Sequence, residues 1–404
     1  MLIYIFVDIY PNPYKPYFDS QFKHFLQKGH KIFIFAQKEY KETLNRIVIE
    51  NRLDENRYFY PSTLNNVPNF FTSLISLLFQ HPIIFISKLY KAIKLTIINN
   101  DTFSSLFRIM LLPTIEPDIC LVHNLAVAEK FTFLKYIYPH TRLILYFHGG
   151  EIPDTPIIKN KIRAFNYFDQ ILTNTQFSRQ VVINQGGSAD KIYVSPIGFN
   201  INDYPDIEKR RYKPDKKLRL ISVGRLSKEK GLIYSINAIK ELVNTGFTKF
   251  EYTIIGDGPQ RAEIEELIHN NKLEKFIRLK GELSHELVIK EMANSDILIL
   301  SSISTNTSAE TQACVVQEAL LMKTIVITTD VGGVPESINK SMKYFIVSQK
   351  DSHSLASMIR NVANLDEASL KALGEQGREF VINNYNINNV NRIILDESQF
   401  KGSY

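Results

Sequence analysis

The chain has 404 residues, 44% hydrophobic and 22% charged, with no low-complexity block; it is long enough for two or three domains, and a peptide, a small disulfide scaffold and a disordered chain are excluded. Forty-eight Lys and Arg against 42 Asp and Glu leave a formal charge of +6 without a long basic run, which excludes a dedicated nucleic-acid binder. Cys120 and Cys314 are the two cysteines and stand far apart, without partners at metal-ligand spacing, so no disulfide framework is expected and a reducing, cytoplasmic setting is predicted.

Met1-Leu-Ile-Tyr-Ile-Phe-Val7 lacks a basic flank and a small-residue cleavage site, and Asp8 cuts it short; it reads as a first strand rather than a signal peptide. A helix around Phe18 to Lys28 is predicted to end at Gly29, followed by a strand from Lys31 to Ala36. Tyr58 to Ser87 carries no charge, but Pro61, Pro68, Gln80, His81 and Pro82 interrupt it below the ~20 apolar residues a membrane span needs, and no transmembrane helix is expected. Beyond it, Ile86, Leu89, Tyr90, Ile93 and Ile97 fall on one helical face with Lys88, Lys91 and Lys94 on the neighbouring arc. Two readings stand for 83–97: a core-facing helix with solvated lysines, or a basic amphipathic helix that touches anionic lipid.

Further strands are expected at Ile119 to Val122, Leu143 to Phe147, Gln170 to Thr173 and Ile192 to Ser195. After the charged link Asn202 to Lys217 come Leu218 to Val223, Tyr252 to Ile255, Ile277 to Lys280, Ile297 to Leu300, Thr324 to Thr328 and Tyr344 to Val347. Short apolar runs alternating with helical patterns predict an α/β chain of two Rossmann-like units, with a boundary near residue 205. Ligands of open parallel sheets bind outside the carboxyl ends of the strands, so the loops there are the places to look for chemistry.

In Ser222-Val-Gly-Arg-Leu-Ser-Lys-Glu-Lys-Gly231, Arg225 and Lys230 bracket one loop and could hold a pyrophosphate; the plain alternative is a solvated turn. Glu310 and Glu318 are eight positions apart across the start of a helix expected near Gln312, too far separated for an acid pair. They suit the two ends of an elongated ligand, Glu310 accepting from sugar hydroxyls and Glu318 from a ribose, with the helix N-terminus facing a pyrophosphate; otherwise one is solvated and one caps. Thr328-Thr-Asp-Val-Gly-Gly-Val-Pro-Glu336 is a turn whose amides could approach an anion, or a simple tight turn, and Gly256-Asp-Gly-Pro259 reads likewise. His148, at a strand end before Gly149 and Gly150, is either a ligand-facing imidazole or a structural one.

Gly224-Arg225-(x)4-Lys230-Gly231, Gly256-x-Gly-Pro259, Glu310-(x)7-Glu318-Ala319 and Gly332-Gly333-x-Pro-Glu336 follow the order and spacing of one family. By these motifs the chain resembles the family 4 (group 1) retaining glycosyltransferases, and Gly29-His30, Pro117-Asp118, His123, His148-Gly-Gly-Glu151 and Pro196-Ile-Gly-Phe-Asn200 extend the resemblance over nearly its whole length. Within the family it looks most similar to bacterial enzymes of colanic-acid, capsular and exopolysaccharide assembly. The resemblance implies a GT-B fold, two Rossmann-like domains facing across a cleft: residues 1–205 for the acceptor, 206–384 for the nucleotide sugar, and a terminal helix, 385–404, returning to the first domain. It implies a donor site of Gly224, Arg225, Lys230, Gly256, Gly258, Glu310, Gln312, Ala313, Cys314 and Glu318, with His148, Glu310, Arg225 and Lys230 carrying the transfer. It implies a nucleotide-sugar donor, a saccharide or lipid-linked acceptor, a site at the inner face of the plasma membrane, and no cofactor. No metal is expected either, since the sequence has no Asp-x-Asp pair. Two positions depart from the family: Tyr10-Pro-Asn-Pro-Tyr-Lys15 replaces a Gly-rich loop after the first strand, and Ala313 stands where Gly is common. A GT-B nucleotide-sugar epimerase and a non-catalytic sugar-nucleotide-binding subunit are the competing readings, and a dehydrogenase is disfavoured because no Gly-x-Gly-x-x-Gly follows the first strand.

Overall fold

The computed structural model describes residues 1–12, 15–38, 57–59, 78–79, 82–99, 108–110, 112–149, 164–207, 217–306 and 308–396. Gly150 and Glu151, Pro13 and Tyr14, 208–216 of the link and the terminal 397–404 lie outside the described residues.

Thirteen described strands form two sheets. β1 (Leu2–Ile9), β2 (Lys31–Lys38), β3 (Arg57–Phe59), β4 (Ile119–His123), β5 (Arg142–Phe147), β6 (Gln170–Thr173) and β7 (Ile192–Val194) make the first, in the order β3-β2-β1-β4-β5-β6-β7. β8 (Leu218–Val223), β9 (Phe250–Ile255), β10 (Ile277–Leu279), β11 (Ile297–Leu300), β12 (Ile325–Thr329) and β13 (Ile346–Val347) make the second, in the order β10-β9-β8-β11-β12-β13. The strands pair in parallel, with Ile3 beside both Ile32 and Ile119, and Ile297 beside both Leu220 and Ile325. This is the α/β architecture the alternating pattern predicts. Residues 3 to 7 of β1 and all of β4, β6, β11 and β12 are buried, because runs apolar on both faces are stable only with helices on both sides.

The chain divides into two compact units. The first comprises Met1–His148, Pro156–Thr173 and Val182–Tyr193; the second comprises Gly149–Thr155, Asn174–Val181 and Val194–Tyr404. The division at Val194 lies upstream of the boundary expected near residue 205. In the described part of the 385–404 segment, Phe199 donates its N–H to Tyr385 O at 2.7 Å, and Ile387 donates to Phe199 O at 2.9 Å, which ties the segment to a residue of the 1–205 stretch.

In the first unit, aromatic side chains fill the space under the helices, with Phe6 4.8 Å from Phe35 and 4.5 Å from Phe131 between ring centroids. The Asp118 carboxylate accepts from Leu2 N at 2.6 Å and so fixes where β1 begins. The helix Pro16–Gln27 starts with Pro at its first position and ends before Gly29, whose φ of +77° suits glycine. In the second unit, Asp296 accepts from Arg219 N at 2.8 Å and pairs with its guanidinium at 3.1 Å, which aligns the starts of β8 and β11. Ser222, Tyr252 and Ser235 form a buried hydroxyl chain with 2.7 and 2.9 Å links; satisfied in this way, the hydroxyls escape the cost of burial unpaired.

Two elements differ from expectation. β3 has three residues, too short a run to leave a periodic trace. The last strand begins at Ile346 rather than Tyr344 because Lys340–Phe345 winds into 3-10 turns that leave Tyr344 exposed.

Candidate functional site

Where β8 ends at Val223, the backbone turns through Gly224 into the 225–231 loop, and a 3-10 turn at Lys228–Lys230 delivers the chain to the helix Leu232–Asn244. Gly231 makes that junction at φ +60°, with its carbon so close to β11 that a Cβ would lie 2.1 Å from Ser301 O; no other residue fits. The loop therefore lies against the carboxyl end of β11. Ser222, Gly224, Arg225, Lys230, Leu232 and Ser301 line a recess there, about 260 Å³ including open solvent.

Arg225 and Lys230 line this recess, and Lys230 links it to Glu310. Lys230 Nζ lies 2.7 Å from Glu310 Oε2, and Ser302 Oγ donates to the same oxygen at 3.1 Å. Arg225 is exposed and forms no ion pair among the described residues. A lysine and an arginine on one loop thus differ in state: one is matched to a carboxylate, the other is open to an incoming anion. The Glu310 carbonyl accepts from Gly333 N at 3.0 Å, and at Gly332, φ +54°, a Cβ would stand 2.0 Å from that carbonyl. The Gly332–Gly333 turn is thereby a support for Glu310. Glu336, in the same loop, accepts from Gln176 N and Phe177 N at 2.7 and 2.8 Å, capping the helix Gln176–Asn184.

Gly256 and Gly258 meet protein backbone: a Cβ on either would lie 2.0 Å from Gly224 O or 2.6 Å from Leu226 O. Their smallness lets the loops after β8 and β9 touch, a requirement independent of any ligand. The helix after Glu310 is Cys314–Leu321, two residues later than expected, with Ala313 buried at its N-cap. Gln312 directs its amide away from the recess, accepting from Ile197 N at 2.6 Å and donating to Ile197 O at 3.0 Å. Desolvation holds the Cys314 thiol well above its usual range, with Glu318 and Glu310 adding to it, so this sulfur stays protonated.

Glu318 is buried five residues into the helix, where a carboxylate needs a partner. His285 supplies it, with Nε2 2.7 Å from Glu318 Oε1. Tyr204 OH points at the same oxygen from 3.4 Å. His285 opens the helix His285–Ala293 behind the N-cap Ser284, in the loop after β10. Sequence reasoning passed over it; its trace was a histidine on a strand-to-helix loop at the carboxyl edge of the sheet.

His148 belongs to the first unit and follows β5. Its Nε2 lies 2.8 Å from Nδ1 of His123, the last residue of β4. Burial, and then the Lys15 ammonium, lower His148 to about 3; burial, then His148 and Lys15, push His123 well below the usual histidine range. Both rings are neutral at physiological pH. In the loop that departs from the family, Lys15 pairs with Asp8 at 2.9 Å, while Tyr10 is fully buried.

The helix Pro82–Asn99 corrects part of the amphipathic reading. Lys88 turns inward, donating to Met110 O at 3.1 Å and also to Leu112 O, and desolvation lowers it to about 8. The apolar side chains face out instead: Ile83 is 83% exposed, Ile86 62%, Tyr90 66% and Ile93 45%. Leu89 and Lys91 are half-buried, Lys94 is exposed, and the Ile97 side chain lies outside the described residues. Among the described residues no helix is long and apolar enough to cross a membrane, and no three His, Cys, Asp or Glu gather as metal ligands would.

Residues 203–380 match the family model for glycosyl transferases group 1. The chain is 27% identical over 258 residues to the putative colanic acid biosynthesis glycosyltransferase WcaL of Salmonella typhimurium, covering 62% of each chain. It is 28% identical over 250 residues to the amylovoran biosynthesis glycosyltransferase AmsK of Erwinia amylovora, covering 60% of each. The matched part thus spans about three fifths of the length of these curated relatives. Among solved structures, Anabaena Alr3699/HepE in complex with UDP-glucose superposes with a TM-score of 0.69 at 15% identity, covering 99% of both chains. That likeness establishes the fold, GT-B.

Proposed function

We propose that this chain, whose residues 203–380 match the model for glycosyl transferases group 1, is a retaining glycosyltransferase that moves a sugar from a nucleotide sugar to a saccharide acceptor, lipid-linked in cell-surface polysaccharide assembly. The observation that carries this reading is the recess after β8, where Lys230 and Glu310 meet at 2.7 Å beside the unpaired Arg225. A sugar diphosphate has the matching parts. Its phosphates meet Arg225 and Lys230, its sugar hydroxyls meet Glu310, and its ribose hydroxyls meet Glu318, held by His285.

The bond from the anomeric carbon to the diphosphate breaks, and the acceptor oxygen bonds to that carbon from the same face. The acceptor proton passes to a departing phosphate oxygen. Negative charge grows on the diphosphate, and the preformed cations of the 225–230 loop lower the barrier by stabilising it. No step asks for a metal.

The outward apolar stripe Ile83, Ile86, Tyr90 and Ile93, with Lys94 exposed and no acidic residue in the helix, supports contact with an anionic membrane surface, where a lipid-linked acceptor resides. A panel of nucleotide sugars read by thermal shift identifies the donor, and product formation with and without a lipid-linked acceptor tests transfer. Donor isomerised without acceptor would point to an epimerase, and donor bound but never consumed would point to a binding subunit; either overturns the proposal. Pelleting with anionic vesicles, weakened by Ile86→Glu and by salt, tests the membrane contact, and salt-independent failure to pellet removes it.

A further inference from the structure

We infer that Ser302 is the positioning residue of Glu310: its hydroxyl, together with the Lys230 ammonium, occupies one carboxylate oxygen and leaves the other, Oε1, to accept from hydroxyls of the donor sugar. The inference rests on the reading of Glu310 as the group that meets that sugar. Every residue involved lies in the second unit.

Both donors converge on a single atom. Lys230 Nζ lies 2.7 Å from Glu310 Oε2 and Ser302 Oγ lies 3.1 Å from it, while Oε1 has no hydrogen-bond partner among the described residues. Two donors match the two lone pairs of one carboxylate oxygen, so those of Oε1 stay available. Oε1, though unpartnered, is not sealed from solvent, and the Glu310 side chain keeps 15% of its surface exposed beside the recess that Lys230 lines.

The end of β11 holds both partners of this contact. Ser301 and Ser302 follow Leu300, the last residue of the strand, and both are buried. Ser301 donates to the carbonyl of Lys230 at 3.2 Å, and Ile303 N donates to Glu229 O at 2.8 Å, so the turn that carries Lys230 is fastened to this strand end. The carbonyl of Ser302 accepts from the Thr329 hydroxyl at the end of β12, which fixes the main chain from which the Ser302 hydroxyl reaches Glu310. An ion pair tolerates a range of angles, whereas a hydroxyl hydrogen bond is directional; Lys230 supplies the charge and Ser302 the direction. The buried serines nearby, Ser222, Ser235 and Ser301, each donate to a backbone carbonyl, at 2.5, 2.9 and 3.2 Å, which is enough to satisfy a buried hydroxyl. Ser302 donates instead to a carboxylate eight residues on.

The experiment measures two ligands on each variant: the nucleotide sugar, among UDP-, GDP- and dTDP-sugars, that gives the largest thermal shift, and its free nucleoside diphosphate. Turnover is read with the lipid-linked acceptor. Ser302→Ala is expected to lower kcat/KM for the nucleotide sugar roughly 10- to 100-fold, the scale of one hydrogen bond to a charged group, while the Kd of the nucleoside diphosphate stays within about twofold. A purely structural role would move both ligands together or show only in the melting temperature. Adding Ser302→Ala to Glu310→Ala should cost little beyond Glu310→Ala alone, because the group being held is already gone. Unchanged kcat/KM in Ser302→Ala, equal losses for the two ligands, or additive losses in the double variant overturn the inference. Unchanged kcat/KM in Glu310→Ala overturns the role of Glu310 itself, and a wild type that turns over no nucleotide sugar overturns the proposed function; either removes the premise. If Ser302→Ala does not fold, Ser302→Cys, similar in volume but a weaker donor, decides: a loss confined to the nucleotide sugar supports the inference, and wild-type kinetics overturn it.

Discussion

The two units organise their candidate groups by opposite physics. In the second, the groups are charged and run from the surface inward: Arg225 exposed, Lys230 matched to Glu310, and Glu318 buried beside His285. In the first, they are neutral and dry: two imidazoles in one plane walled by Phe18, Phe22 and Tyr146. A charged cluster can attract and stabilise a polyanion but orients it loosely, since ion pairs tolerate a range of geometry. A buried imidazole pair adds no charge and fixes direction.

The contrast can be broken at its charged end first. Lys230→Ala should lower turnover by about 10²- to 10³-fold, the scale of removing one preformed group from a developing anion, with the melting temperature nearly unchanged. Turnover within a fewfold of wild type would take Lys230 out of the reaction. Gly332→Ala leaves every charged group in place but forces a Cβ toward Glu310 O, 2.0 Å away, so a shifted Glu310 should cost about 10²-fold in turnover together with a measurable drop in melting temperature. Glu318→Gln should act on binding, raising donor KM about 10-fold with a smaller change in kcat, and His285→Ala should do the same more weakly.

The neutral end is sharpened by pH. His123 and His148 titrate below the unfolded value of about 6.5, so under that pH the unfolded chain binds protons that the folded chain refuses. Stability from the pair is whole above pH 6.5 and falls as pH drops through 6.5 toward about 3, where His148 titrates in the folded chain, by at most about 1.4 kcal/mol per pH unit for each ring. Urea midpoints at pH 7, 5.5 and 4.5 measure the slope, and His123→Phe should flatten it; an unchanged slope in that variant would mean that other groups set the acid sensitivity. The smallest expected effect is none: EDTA should leave turnover intact if the 225–230 cations suffice, and loss of turnover restored by a divalent ion would add a metal to the charged end.

The sequence by itself determined the sheets and the charged loops. Runs such as Ile119–His123 and Ile297–Leu300 are apolar on both faces, and an element with no polar face has little choice but the middle of a parallel sheet. Gly224, Arg225, Lys230, Glu310 and the Gly332–Gly333 turn were legible because each lies on a short loop where residue type and spacing carry the chemistry. Tertiary structure alone decided the pairings. His123 meets His148 25 residues on, His285 meets Glu318 33 residues on, and Gln312 turns its amide to Ile197, 115 residues back, because strand order and register bring those loops together. The same holds for the helix Pro82–Asn99, where periodicity defined an apolar stripe but not which way it faced; the carbonyls of Met110 and Leu112 drew Lys88 inward and left the stripe in solvent. A sequence pattern fixes which residues share a face or a loop, whereas what that face or loop meets depends on contacts made after the chain has folded.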